Sequence, residues 1–181
     1  HMFPAMTASA ADKLGMRAVM TRGLTGSDRN DKDGIRRYNE HMDEREHFKD
    51  NDRITFKLGP HAIYTCGEDY LRWLLEKAHE TEQDVHIHLS ETTAEVQNCY
   101  KERSKSPVEY LNDIGFFDVK TCAAHCVHVS DSDMDILAEN HVSVIHNPKS
   151  NLKLANGTAP VPRMMEKGIN VCMGTDSQAS N

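Results

Sequence analysis

Histidines and carboxylates recur near the ends of strand-like segments in this 181-residue chain. His86 and His88 stand two apart in VHIHL, so an extended backbone turns both to one face. Glu91 follows His88 by three residues. His125 lies in TCAAHCVHV, His146 ends VSVIH, and Asp176 follows MGT. His61 follows Gly59-Pro60, and Arg22 lies in RAVMTRG. Imidazole nitrogens and carboxylate oxygens from separate segments suit a divalent cation, zinc before others. Such an ion lowers the pKa of a water ligand towards about 7. A carboxylate beside it takes and returns protons. Each residue also has a structural reading. A strand histidine is more often packed than ligating, and His86 and His128 read that way. His41, His47, His79 and His141 fall in helices or turns and read as surface. Asp176 suits a loop or cap, and Asn147 and Asn151 suit turns. Spacing alone leaves the two readings open.

The elements that would position these groups alternate. Strands are expected at 17–23, 54–59, 85–89, 121–129, 142–146 and 170–175, each β-branched or small and bounded by Gly, Pro, Asn or Ser. Helices are expected between them. Ala5 to Leu14 is stopped by Gly15, and 34–48 is charged and exposed. In 68–80, Leu71, Leu74, Leu75 and Ala78 make an i, i+3, i+4, i+7 stripe. Thr92 or Thr93 caps a helix carrying Val96 and Tyr100. Ser106-Pro107 opens another, Ser130 with Asp133 resembles a capping box, and 159–167 ends at Gly168. Strand starts recur about every 31 residues, the length of a βα unit. That spacing implies a parallel sheet with right-handed crossovers. A doubly wound sheet would favour a glycine-rich loop after its first strand, and neither GxGxxG nor GxxxxGK[ST] occurs. Polar residues instead gather at the C-terminal ends of many strands, the placement of a barrel active site.

Composition bounds the class. Hydrophobic residues are 38%, aromatic 6% and charged 27%, which excludes a disordered polar chain. No run of about 18 apolar residues could span a membrane. The net charge of −7 argues against a broad nucleic-acid surface. Five cysteines without a CxxC fit reduced thiols in a cytoplasmic protein. His1-Met2 reads as a cloning remnant, and Phe3-Pro4 lacks the features of a signal peptide.

The segments LGPHAIYTC, HIHLSET, AAHCVHVSDSD, HNPKSNLKLANGTAPVPRMMEKGINV and MGTDSQASN resemble the amidohydrolase superfamily. The nearest branch is that of 5-methylthioadenosine/S-adenosylhomocysteine deaminases and related chlorohydrolases. The similarity runs from about residue 8 to the end. It implies an α/β fold, a partial TIM-type (β/α)8 barrel with strands three to eight of a metal-dependent hydrolase, over residues 3–181. It implies hydrolytic deamination of an aminopurine nucleoside with one divalent metal, zinc or alternatively iron. By the family pattern His88 and Asp176 are metal ligands, and Asp176 is also the general base. Glu91 shuttles a proton to the ring nitrogen, and His125 orients the water or the substrate. His61 contacts the substrate ring, and Arg22 meets its distal end, with Arg29 the candidate for a second arginine. The family's first strand carries an HxH pair of metal ligands that has no counterpart here, and about 250 residues are typical of a whole barrel. The chain therefore reads as a piece of a longer, cytoplasmic, homo-oligomeric enzyme acting on a small molecule, with no nucleic-acid or membrane partner. A triazine-type chlorohydrolase, a guanine-type deaminase and an inactive fragment are the alternatives.

Overall fold

The computed structural model describes residues 4–177 and 179–180. His1-Met2 lies outside the described residues. The chain forms two compact units, 1–86 and 87–181.

In the first unit, α1 (Pro4–Lys13) precedes β1 (Ala18–Met20) and β2 (Gly23–Leu24). α2 (Lys32–His47) leads to β3 (Ile54–Phe56) and β4 (Gly59–Pro60), followed by α3 (Glu68–Thr81). The two expected strands at 17–23 and 54–59 each break in two. β1 pairs in parallel with β3, and β2 with β4, with Thr21-Arg22 and Lys57-Leu58 between the pairs. Leu58 turns away to bridge Val85, so one continuous ladder gives way to two short ones. Ala8, Met20, Phe48, Ile54 and Phe56 form a buried cluster. On α3 the stripe of Leu71, Leu74, Leu75 and Ala78 is buried as its period requires. Asp31 caps α2, accepting from the amides of Asp33 and Gly34. α2 departs from the all-exposed expectation. Gly34, Tyr38 and His41, at i, i+4 and i+7, are buried. His41 is 0% exposed and bonds Gln83 Oε1 through Nε2 at 2.8 Å, so the surface assignment of this histidine is corrected. One buried stripe of three residues was hidden by the charged residues around it. His47, His79 and His141 are exposed.

The second unit takes in most of β5 (Val85–Leu89), then α4 (Thr93–Arg103) and α5 (Pro107–Asp113). A 3-10 turn follows, Phe116–Asp118, then β6 (Thr121–His125), α6 (Asp131–Glu139) and β7 (Ser143–His146). α7 (Pro148–Lys153), α8 (Val161–Glu166) and β8 (Val171–Met173) complete it. The sheet order is β5-β6-β7-β8, with β6, β7 and β8 paired in parallel. Helices separate each consecutive pair of strands, as βα units require. Along β5, Val85, Ile87 and Leu89 are buried and the two histidines half-buried, the expected two-residue alternation. Capping boxes form at Ser106/Glu109 and at Ser130/Asp133, and Thr92 caps α4. The buried residues of α4 are Glu95 and Cys99, whereas Tyr100 is exposed. The strand expected over 121–129 ends at His125, because His125 (φ 74°) and Cys126 (φ 46°) leave the extended region. Among the described residues no helix is long and apolar enough to cross a membrane.

Candidate active site

The second unit brings together three of the expected donors. His88, the fourth residue of β5, His125, the last of β6, and Asp176, just beyond β8, each offer a ligand atom within 4.8 Å of the other two. The rings of His88 and His125 stack with centroids 5.3 Å apart. Parallel strands in sequence order make this possible, since residues near the same end of neighbouring strands lie side by side. Local backbone then aims them. His125 and Asp176 have positive φ, as does Ser90 at the end of β5. Non-glycine residues held in that region cluster where a surrounding site over-determines them.

His125, Asp176 and neighbouring Glu91 are held from behind. His125, 1% exposed, meets Asn151 Oδ1 through Nδ1 at 2.8 Å. The amide oxygen accepts, so Nδ1 carries a proton and Nε2 is the nitrogen left facing the site. On that side Glu91 Oε2 lies 3.7 Å away. An unprotonated imidazole nitrogen and a carboxylate oxygen are both acceptors, so a proton, a water or a cation must mediate between them. Glu91 Oε1 accepts from Asn156 Nδ2 at 3.0 Å. Asp176 Oδ2 accepts from Ser150 Oγ at 2.5 Å and from Ser180 Oγ at 2.9 Å. Burial works to raise the Asp176 pKa, but those hydroxyls and nearby His125 outweigh it, leaving the carboxyl below its ordinary range. It is therefore ionised at neutral pH, as a cation ligand or a proton acceptor must be.

The β5–α4 connection is set by Glu95. Its carboxylate accepts the amides of Ser90 and Glu91, both at 2.9 Å. Burial pushes its pKa up, against those two hydrogen bonds. Glu95 thus fixes where the backbone of Glu91 sits. The sequence signal was Thr92-x-x-Glu95, a capping-box spacing. Asn151 suits a turn by sequence, and Ser150 and Asn156 carry no signal of their own, because Asn147-Pro148 punctuates like a turn; residues 148–153 fold instead as α7, with Asn147 at its N-cap and Asn156 just beyond.

His61, Arg22 and Arg29 belong to the first unit. His61 follows β4 and bonds Thr65 Oγ1 at 2.9 Å through Nδ1. Arg22 lies between β1 and β2 and is forked onto Glu44, with Nη2 to Oε1 at 2.5 Å, while Nη1 reaches Glu40 at 2.9 Å. Arg29 pairs with Asp69 at 2.9 Å. The packed reading of His86 and the loop position of His128 leave both half-buried. His146 is half-buried at the end of β7, and burial holds its pKa below the ordinary histidine value.

Comparison with known proteins bears on this arrangement. A 5-methylthioadenosine/S-adenosylhomocysteine deaminase of Thermoanaerobacter pseudethanolicus is 47% identical over 182 residues, covering 100% of this chain and 42% of the relative. A 5'-deoxyadenosine deaminase of Methanothermobacter thermautotrophicus is 40% identical, covering 96% of this chain and 41% of that one. The crystal structure of an adenosine deaminase from Xanthomonas campestris with bound zinc superposes with a TM-score of 0.91 at 26% identity, over 100% of this chain and 42% of that one. The chain thus spans well under half the length of these relatives. With parallel strands in βα order and the amidohydrolase family model matching residues 3–181, this chain belongs to the amidohydrolase family.

Proposed function

We propose that the full-length protein hydrolytically deaminates adenine nucleosides, with 5-methylthioadenosine, S-adenosylhomocysteine and adenosine as the substrate class, and that this chain contributes strands three to eight of its barrel. The observation that carries the reading is the meeting of His88, His125 and Asp176 within 4.8 Å, with Glu91 3.7 Å from His125. Relatives named as deaminases of such nucleosides, at 40–47% identity, support the substrate class.

The donor set fits a divalent cation: two imidazoles and an ionised carboxylate, with no thiolate among them, suit zinc, with iron the alternative. His88 and Asp176 would hold it, and the geometry adds His125 as a neighbouring donor. Bound there, the cation would supply a nucleophile by acidifying water towards neutrality. Asp176, ionised and held through Oδ2, accepts a proton from the attacking water. Glu91, fixed through Oε1, presents Oε2 to deliver a proton to the purine ring nitrogen. Water adds at the carbon bearing the amino group, the proton held by Asp176 passes to the departing amino group so that ammonia leaves, and the added hydroxyl returns a proton to Glu91 as the oxo product forms. His125, its Nδ1–H committed to Asn151, turns Nε2 to water or substrate. Substrate contacts by His61 and Arg22 rest on the sequence resemblance; Arg22 would have to exchange part of its pairing with Glu40 and Glu44.

The test is ammonia release by the purified, zinc-loaded full-length protein with 5-methylthioadenosine, S-adenosylhomocysteine, adenosine and 5'-deoxyadenosine, with guanine and a chlorotriazine as comparators. Turnover of one or more adenine nucleosides above both comparators is expected. Dechlorination or guanine deamination alone would replace the reading, and no turnover of any would end it.

A further inference from the structure

The groups of the candidate site share one support. α7 and the turn after it, residues 147–156, reach three of them at once. Asn151 Oδ1 accepts from His125 Nδ1, Ser150 Oγ donates to Asp176 Oδ2, and Asn156 Nδ2 donates to Glu91 Oε1. We propose that Ser150, Asn151 and Asn156 are positioning residues, a single short segment that sets the tautomer of His125 and commits one oxygen of each carboxylate. As a statement about catalysis, this rests on the deaminase reading above.

The division of atoms supports it. On Asp176 both serine hydroxyls go to Oδ2, and neither takes Oδ1. On Glu91 the amide of Asn156 takes Oε1, and Oε2 faces His125. On His125 Nδ1 is taken and Nε2 is presented. In all three cases one atom is anchored and its twin is not, which is how outer partners orient ligands and bases. The segment is anchored at two of these residues. Ser150 and Asn151 are fully buried, and the Asn151 carbonyl accepts the Asn156 backbone amide at 2.8 Å, tying two of the three residues together. Asn151 also leaves its Nδ2 buried without a hydrogen-bond partner. A leucine would fill that volume with no unpaired donor, so packing alone does not account for an asparagine there. Its oxygen, aimed at His125, does.

Two measurements test this. In the metal-free 181-residue chain, heteronuclear NMR of the imidazole nitrogens should show His125 protonated at Nδ1. Asn151→Asp, which keeps an acceptor, should preserve that state, and Asn151→Leu should lose it. In the zinc-loaded full-length protein, Asn151→Leu and Asn156→Ala should each lower kcat by about 10–100-fold, with KM changed less than about threefold and metal content retained. Asn151→Asp should recover most of the Asn151→Leu loss. A His125 tautomer unchanged in Asn151→Leu, or protonated at Nε2 in the parent, overturns the proposal. So does unchanged kcat in both variants. If Asn151→Leu does not fold, the half-buried Asn156→Ala decides through the split between kcat and KM. A parent without deaminase activity would end the functional reading while the NMR result still decides whether Asn151 sets His125.

Discussion

Glu91→Gln removes the ionisable carboxyl, and with it the capacity to give and take a proton, and very little else. The glutamine has the same length, its amide oxygen can still accept from Asn156 Nδ2, and the backbone amide of residue 91 still donates to Glu95. What disappears is the ionisable oxygen 3.7 Å from His125 Nε2. If that oxygen moves the proton to the purine ring, the loss is that of a positioned general acid, about 100- to 10,000-fold in turnover, or about 2.7–5.4 kcal/mol of barrier. Metal should be retained, because the cluster of close donors consists of His88, His125 and Asp176 and excludes Glu91. The assay pairs ammonia release by the full-length protein with elemental analysis of the same preparation, and His88→Ala serves as a control that should lose metal. Turnover within threefold of the parent would remove Glu91 from the proton path. Loss of metal with Glu91→Gln would instead make it a ligand.

Three further expectations concern the scaffold. Gly34→Ala would put a Cβ 2.7 Å from the Tyr70 ring and 3.0 Å from the Thr25 carbonyl; after the gain in helix propensity, a net loss of about 1–2 kcal/mol is expected in urea unfolding, and an unchanged midpoint would contradict it. His41 is buried, which holds its pKa below 6.5 despite the hydrogen bond to Gln83. The unfolded chain therefore takes up the proton first, so stability is full above about pH 6.5 and declines as pH falls towards the folded value. His41→Leu should flatten that decline between about pH 7.5 and 5, and parallel curves for parent and variant would refute the argument. Ser106 caps α5 at the Glu109 amide and also donates to the buried Asp133 carboxylate; Ser106→Ala should cost about 2–4 kcal/mol, a cap plus a hydrogen bond to a charged group, and a loss under about 0.5 kcal/mol would show that water replaces both.

What was legible in the chain was what short-range rules decide. β5 alternates over residues 85–89 as its side chains require, α3 buries its leucine stripe, a helix opens at Ser106-Pro107, and the box at Ser130 closes where serine and acid stand three apart. The strand-end placement of His88, His125 and Asp176 could be read because one parallel ladder aligns successive strand ends, and the three groups do meet. Where the reading erred, a non-local contact had intervened. The bridge of Leu58 to Val85 divides a strand that the local pattern leaves whole. His41 lies among charged helical neighbours that suggest solvent, yet Gln83, forty-two residues on, meets it in the interior.

The segment 147–156 shows the same limit at the site itself. Asn-Pro at 147–148 carries the punctuation of a turn, and a six-residue helix is too short for its period to announce itself. The partners of its polar side chains are distant in sequence: His125 is 26 residues before Asn151, Asp176 is 26 after Ser150, and Glu91 is 65 before Asn156. Hydrogen bonds between side chains leave no periodic trace, so no window of residues reveals them. Yet they determine which atom of each reacting group faces outward. Residue types at strand ends therefore mark groups that the fold brings together. Which of their atoms is anchored is decided by amides and hydroxyls that, taken alone, read as a loop.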